Sequence, residues 1–154
     1  MFKKIIFIVV VLAIVVGAFL KFSHISYESH FNKGLEYFKS GDYKKAIAEY
    51  KKAEKKTVPS DESLQYALAN AYAQIKDYDK AITAYETVIK YYPNDERAYK
   101  LLASVHTLKA TEQRDIEGLK KALEYIERGY ELAPSKMSES DMNLLKTLRE
   151  QLQK

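Results

Sequence analysis

Two hydrophobic patterns divide this chain. From Ile5 to Leu20, sixteen consecutive residues carry no charged or strongly polar side chain, so a helix over that stretch is apolar on every side. From about residue 27 the apolar residues come three or four apart, between runs of Lys and Glu. That spacing predicts a series of amphipathic helices, each burying one stripe. Asp42-Tyr43 and Asp77-Tyr78 sit where one helix must stop and the next begin, and Pro93 and Pro134 end helices of their own. No alternating strand pattern interrupts the series, and the expected class is all-α.

The series repeats itself. Asp42-Tyr43-Lys44-Lys45-Ala46-Ile47 and Asp77-Tyr78-Asp79-Lys80-Ala81-Ile82 stand 35 residues apart, inside a longer frame that also shares Tyr50 with Tyr85 and Ala53 with Val88. A period of that length marks a helical unit that cannot bury its own apolar face and stacks on a copy of itself. Small residues recur where two helices of a unit cross closely: Ala46, Ala81 and Ala122 are expected to face Gly34, Ala69 and Ala103.

The period, the Tyr and Ala positions and the closing Pro resemble the tetratricopeptide repeat, a helix-turn-helix unit. Matched to that pattern, the chain reads as three copies, about 27–60, 62–95 and 96–136, within a repeat region 29–136. The third copy is longer, since Pro93 and Pro134 are 41 residues apart, and the extra seven residues are expected as a polar loop around Ala110 to Gly118. Ser60 and Asn94 are expected N-caps, with Asp61, Glu62, Asp95 and Glu96 placing negative charge on first turns. Ser138-Glu139-Ser140-Asp141 is a capping-type start. Met142, Leu145, Leu148 and Leu152 then follow at helical spacing, so residues 137–154 are expected to form the helix that covers the last unit.

Lys3, Lys4 and Lys21 bracket the N-terminal apolar run. The expectation is a single-pass anchor, 5–21, after a cytoplasmic tail, 1–4, and before a linker, 22–28. The positive-inside rule then places the repeats outside the cytoplasm, as for a bacterial inner-membrane protein. A cleaved signal at Val16-Gly17-Ala18 is the alternative, giving a secreted binder. Without the three flanking lysines the chain has 22 basic and 21 acidic residues, no footprint for nucleic acid. Within it, residues 44–56 hold six lysines against two glutamates, while 112–141 hold eight acids and five bases. Lys44, Lys45, Lys51 and Lys52 are the candidates for contact with anionic lipid.

Candidate chemistry is sparse. There is no cysteine, and His24, His30 and His106 have no ligand-spaced partner. Phosphate loops and nucleophile elbows are missing. No cofactor, metal or catalytic residue is expected, and the chain does not read as an enzyme. Of thirteen tyrosines, six (Tyr37, Tyr43, Tyr50, Tyr72, Tyr78 and Tyr85) fall on repeat core positions.

The resemblance implies a binding function, in which a concave face lined by the first helix of each unit grips a peptide or helix of a partner protein. Carried over residue by residue, that face takes Phe31, Leu35, Phe38 and Lys39 from the first copy. The second contributes Ser63, Tyr66, Asn70 and Gln74, and the third Arg97, Lys100, Ser104 and Thr107. Asn70 would bond the peptide backbone, and Arg97 and Lys100 would pair with a carboxylate. The clamp that family members use for chaperone C-termini wants Lys and Asn where Phe31 and Leu35 stand, and a cation at Leu101. The roles implied are a scaffold in an envelope or secretion complex, or a chaperone-like partner of translocated proteins.

Overall fold

A computed structural model describes residues 2–58 and 61–153, with the backbone alone described at 2–5, 7, 19 and 22–24. The chain falls into two compact units, Met1–Val58 and Pro59–Lys154. Pro59 and Ser60, the expected stop and cap between the first two copies, lie outside the described residues.

Unit 1 is a helical pair, α1 (Phe2–Lys39) and α2 (Tyr43–Glu54). The expected linker 22–28 is not a break, because α1 runs through it. Tyr27 is helical there and stacks on Phe31 with ring centroids 5.7 Å apart. Phe31 in turn tilts against Tyr50, also at 5.7 Å, and Phe38 meets Tyr43 edge-on. Gly34 lets α2 approach, since a Cβ there would come within 2.5 Å of Tyr50 Cδ1. The close approach at Gly34 is thus to the buried Tyr50 ring.

The first half of α1 leads to a correction. Its described apolar side chains between Ile6 and Leu20 are exposed. Among the described residues, however, no helix is long and apolar enough to cross a membrane. This overturns the expected anchor at 5–21 and the localisation built on it. The physical reason is length: sixteen apolar residues rise about 24 Å, against a hydrocarbon core of ~30 Å. Beyond Lys21 the helix turns polar. The expected lipid contact loses support with it, and Lys45 and Lys52 are occupied by ion pairs with Asp42 and Glu49.

Unit 2 contains α3 (Glu62–Gln74), α4 (Tyr78–Tyr91), α5 (Glu96–Gln113), α6 (Ile116–Leu132) and α7 (Glu139–Leu152), with a 3-10 turn at Pro134–Lys136. Consecutive helices pack on one another, as a stack of helical hairpins requires. Tyr85, Leu64, Leu102, Ile126, Leu148 and Val88 are its largest fully buried side chains. Leu145 and Leu148 bring α7 onto Ala103, Ala122 and Ile126. The α7 start is a full capping box between Ser138 and Asp141.

The twin hexapeptides owe their form to the turns. Asp42 N–H donates to Tyr37 O and Gly41 N–H to Phe38 O, a Schellman closure with Gly41 left-handed at φ 81°. The Asp42 carboxylate then accepts from Lys45 N, opening α2. One aspartate ends a helix through its amide and begins the next through its side chain. Asp77 does the same after Lys76 (φ 62°), and Asp115 after Arg114 (φ 54°).

That third turn corrects the expected polar loop at 110–118. The insertion lengthens α5 and α6 by about one turn each, which leaves both buried stripes in phase. Ala110 is buried, and Gly118 admits it, because a Cβ on Gly118 would fall 2.9 Å from Ala110 Cβ. The caps differ as well. Asp61 caps α3 and Asp95 caps α5, where Asn94 was expected, because the aspartate carboxylate reaches the first-turn amides.

One buried acid went unread in the sequence. Glu49 is 6 % exposed and holds His30 and Lys52, each at 2.7 Å. The Lys52 bond, then the His30 bond, keep its carboxyl below the usual glutamate range. A depressed folded-state value stabilises the fold above the unfolded value and is lost as pH falls through the folded one. Glu49→Gln is expected to lower stability by roughly 1–3 kcal/mol at neutral pH. It should also flatten the loss of stability below about pH 4.3, the value of a free glutamate. Urea titrations at pH 7 and pH 3 check both, and equal slopes for parent and variant would rule the ion pair out.

Candidate functional site

In unit 2 the expected face residues lie on two helices at stripe spacing: Ser63, Tyr66, Asn70 and Gln74 on α3, and Arg97, Lys100, Ser104 and Thr107 on α5. Three of them converge. The Arg97 guanidinium lies over the Tyr66 ring, 4.5 Å from its centroid. Tyr66 is 5 % exposed, donates its hydroxyl to Asp95 Oδ2 at 2.7 Å, and meets the Tyr85 ring edge-on. Tyr85 Oη donates to Asn70 Oδ1 at 2.6 Å, which engages the Asn70 amide oxygen.

Electrostatics keep this cluster in one state. Burial, then the Asp95 bond, push the Tyr66 phenol well above its ordinary value. Burial pushes Tyr85 up to about 12, against an opposing pull from Arg97. Both tyrosines are therefore neutral donors at any physiological pH, and beside them Arg97 is exposed and Asn70 half-buried.

Other face residues are spent inside the fold. Lys100, expected to pair with a ligand carboxylate, donates to Lys136 O at 3.1 Å and pairs with Asp141 at 3.5 Å. It ties α5 to the segment that opens α7. The Ser104 and Thr107 hydroxyls donate to carbonyls of their own helix, Lys100 O and Ala103 O. Ser63 and Gln74 stand exposed at the two ends of the α3 stripe. In unit 1, Phe31, Leu35 and Phe38 are half-buried on α1 and Lys39 is exposed.

Sequence reasoning missed Asp95 and the second duty of Tyr85. Asp95 was assigned to a first turn, yet it caps α5 and also receives Tyr66 from 29 residues away. Tyr85 was assigned to the core, which it fills, and it also orients Asn70. The partner of His30, Glu49, lies on the next helix and is invisible to spacing within α1.

Comparison with known proteins agrees with this architecture. Residues 37–105 match the family model described as tetratricopeptide repeat. The small glutamine-rich tetratricopeptide repeat-containing protein 2 of Saccharomyces cerevisiae is 31 % identical over 118 residues, 71 % of this chain. The chain spans 34 % of the length of that relative. Among solved structures, the first such domain of Spaghetti (RPAP3), bound to the HSP90 peptide SRMEEVD, superposes with a TM-score of 0.69 at 23 % identity. That match covers 84 % of this chain and 94 % of the other. The Yersinia enterocolitica type III secretion chaperone SycD, in complex with a peptide of the translocator YopD, gives 0.69 at 16 % identity, covering 80 % and 92 %. Residues 37–105 are thus a tetratricopeptide-repeat segment, and the hairpin that follows continues its pattern of Schellman turn, capping aspartate and small crossing residues.

Proposed function

We propose that this chain is a protein-interaction module that holds an extended peptide of a partner protein against the first-helix faces, centred on α3 and α5. The observation that carries the reading is the Tyr85–Asn70 bond. By engaging the amide oxygen, it leaves both amide N–H donors for a peptide carbonyl, at a fixed position and with little ordering left to do. Arg97 stacked on Tyr66 offers a flat surface beside them. Ser63 and Gln74 mark the ends of the stripe, and in unit 1 Phe31, Leu35, Phe38 and Lys39 take the corresponding role. The peptides in the Spaghetti and SycD complexes support a peptide as the ligand class.

The mode of reading differs from a terminal-carboxylate clamp. Lys100 is committed to Asp141, and Phe31 and Leu35 stand where a clamp needs Lys and Asn. The favoured ligand is an internal segment, read through its main chain and apolar side chains. Heptapeptides selected from a random display library on the full chain provide the test. Arg97→Ala is expected to weaken them about five- to tenfold, Gln74→Arg to block the stripe, and exposed Lys90→Ala to change nothing. Amidating the peptide C-terminus should leave affinity unaltered. Peptides that bind Arg97→Ala and Gln74→Arg as they bind the parent would place the site elsewhere.

A further inference from the structure

A cavity of about 500 Å3 lies against α5 and α6, within the ~300–1,000 Å3 range of ligand sites. None of the twelve face residues lines it. Tyr99 from α5 and Tyr125 from α6 form aromatic walls, with ring centroids 6.3 Å apart. Tyr125 is braced by His106, which is 8 % exposed and stacks on it at 5.3 Å. Burial, then Lys121 and Lys109, hold the His106 imidazole below its usual range, against a smaller opposing pull from Asp115. The His106 ring therefore adds no charge of its own beside Tyr125 at neutral pH.

The charges around the cavity do not balance. Its two cations are each matched by a carboxylate on their own helix, Lys120 by Glu117 and Arg128 by Glu131. Glu127 is matched by Arg149 of α7. Glu124 lines the cavity with no ion pair among the described residues; Glu86 of α4, outside the lining, has none either. The Tyr125 phenol is raised by burial first and by the fields of Glu86 and Glu124 after it. Two tyrosine faces with the unmatched Glu124 carboxylate in the lining favour a cation over an anion.

We propose that this cavity is a second binding site, separate from the α3–α5 face, and that it takes a lysine or arginine side chain from a basic segment of a partner protein. The side chain enters over the Tyr99 and Tyr125 rings, and its charge is met by Glu124 and by the field of Glu86.

The test titrates the full chain with hexa-arginine, and separately with hexaglutamate, following ring-labelled tyrosine NMR signals assigned through Tyr99→Phe and Tyr125→Phe. Hexa-arginine should shift the Tyr99 and Tyr125 signals to saturation, and hexaglutamate should leave them in place. The double variant Glu86→Gln/Glu124→Gln changes two exposed positions and is expected to weaken hexa-arginine about tenfold. Unmoved ring signals, or a double variant that titrates like the parent, overturn the proposal. Equal weakening by Glu139→Gln, remote in sequence from the cavity, would reduce the effect to diffuse charge and also overturn it. If mass rises with protein concentration and the double variant abolishes the rise, the occupant is a second copy of this chain and the partner assignment fails.

Discussion

Tyr50→Ala is expected to lower unfolding free energy by roughly 3–5 kcal/mol, the range for truncating a buried aromatic. Tyr50 is 1 % exposed and is the side chain around which unit 1 closes, with Phe31 on one side and Gly34 beneath. Gly34→Ala makes the mechanism specific. Helix propensity alone favours alanine over glycine by about 1 kcal/mol. Here the added methyl meets the Tyr50 ring, so the change should destabilise by ~1–3 kcal/mol instead. Combined with Tyr50→Ala, the sign should revert, because the methyl then enters vacated space. Urea titrations of the four proteins in this cycle supply the coupling. Additive effects would mean that Gly34 and Tyr50 do not share the contact described.

Leu148→Ala is expected to cost about 2–5 kcal/mol. Leu148 is fully buried, and it closes the cluster of Ala103, Ala122 and Ile126 from the α7 side. A stack of hairpins ends in an apolar face that water would otherwise meet, and α7 supplies the cover. Leu152, in the last turn, is only half-buried, so Leu152→Ala should cost less than half as much. Thermal and urea unfolding of both variants provide the comparison. Similar costs for the two leucines would argue against α7 as a specifically packed cover.

How far the sequence could be read depended on how local the interactions are. The first two copies were legible because each turn is encoded within six residues, and because Ala46 and Ala81 recur in register. The third turn escaped notice for the same reason. Its aspartate, Asp115, lies seven residues before Ala122, whereas Asp42 lies four before Ala46. The extra residues thus looked like a loop, while helix phasing absorbed them as a turn on each side. The caps were displaced by one residue because Asn94 and Asp95 are both competent, and backbone geometry selected Asp95.

The binding face was legible as a set of positions but not as a set of states. Spacing placed Tyr66, Asn70, Arg97 and Lys100 on two stripes. It could not reveal that Lys100 is drawn to Asp141, or that Tyr85 fixes the Asn70 amide, because those partners lie 41 and 15 residues away. The apolar run was legible as an apolar helix, and reading it as a membrane span asked more of sixteen residues than their length supports.

By itself the sequence determined what is local: helix class, period, the aspartate turns, the capping box and which faces are apolar. Those follow from torsional preference and side-chain spacing within a few residues. The tertiary structure decided what is relational: the Glu49 bonds to His30 and Lys52, the committed Lys100, the Asn70 amide held by Tyr85 and the tyrosine cavity with its unmatched Glu124. Each needs groups from different helices brought within a few ångströms, and only packing sets those distances.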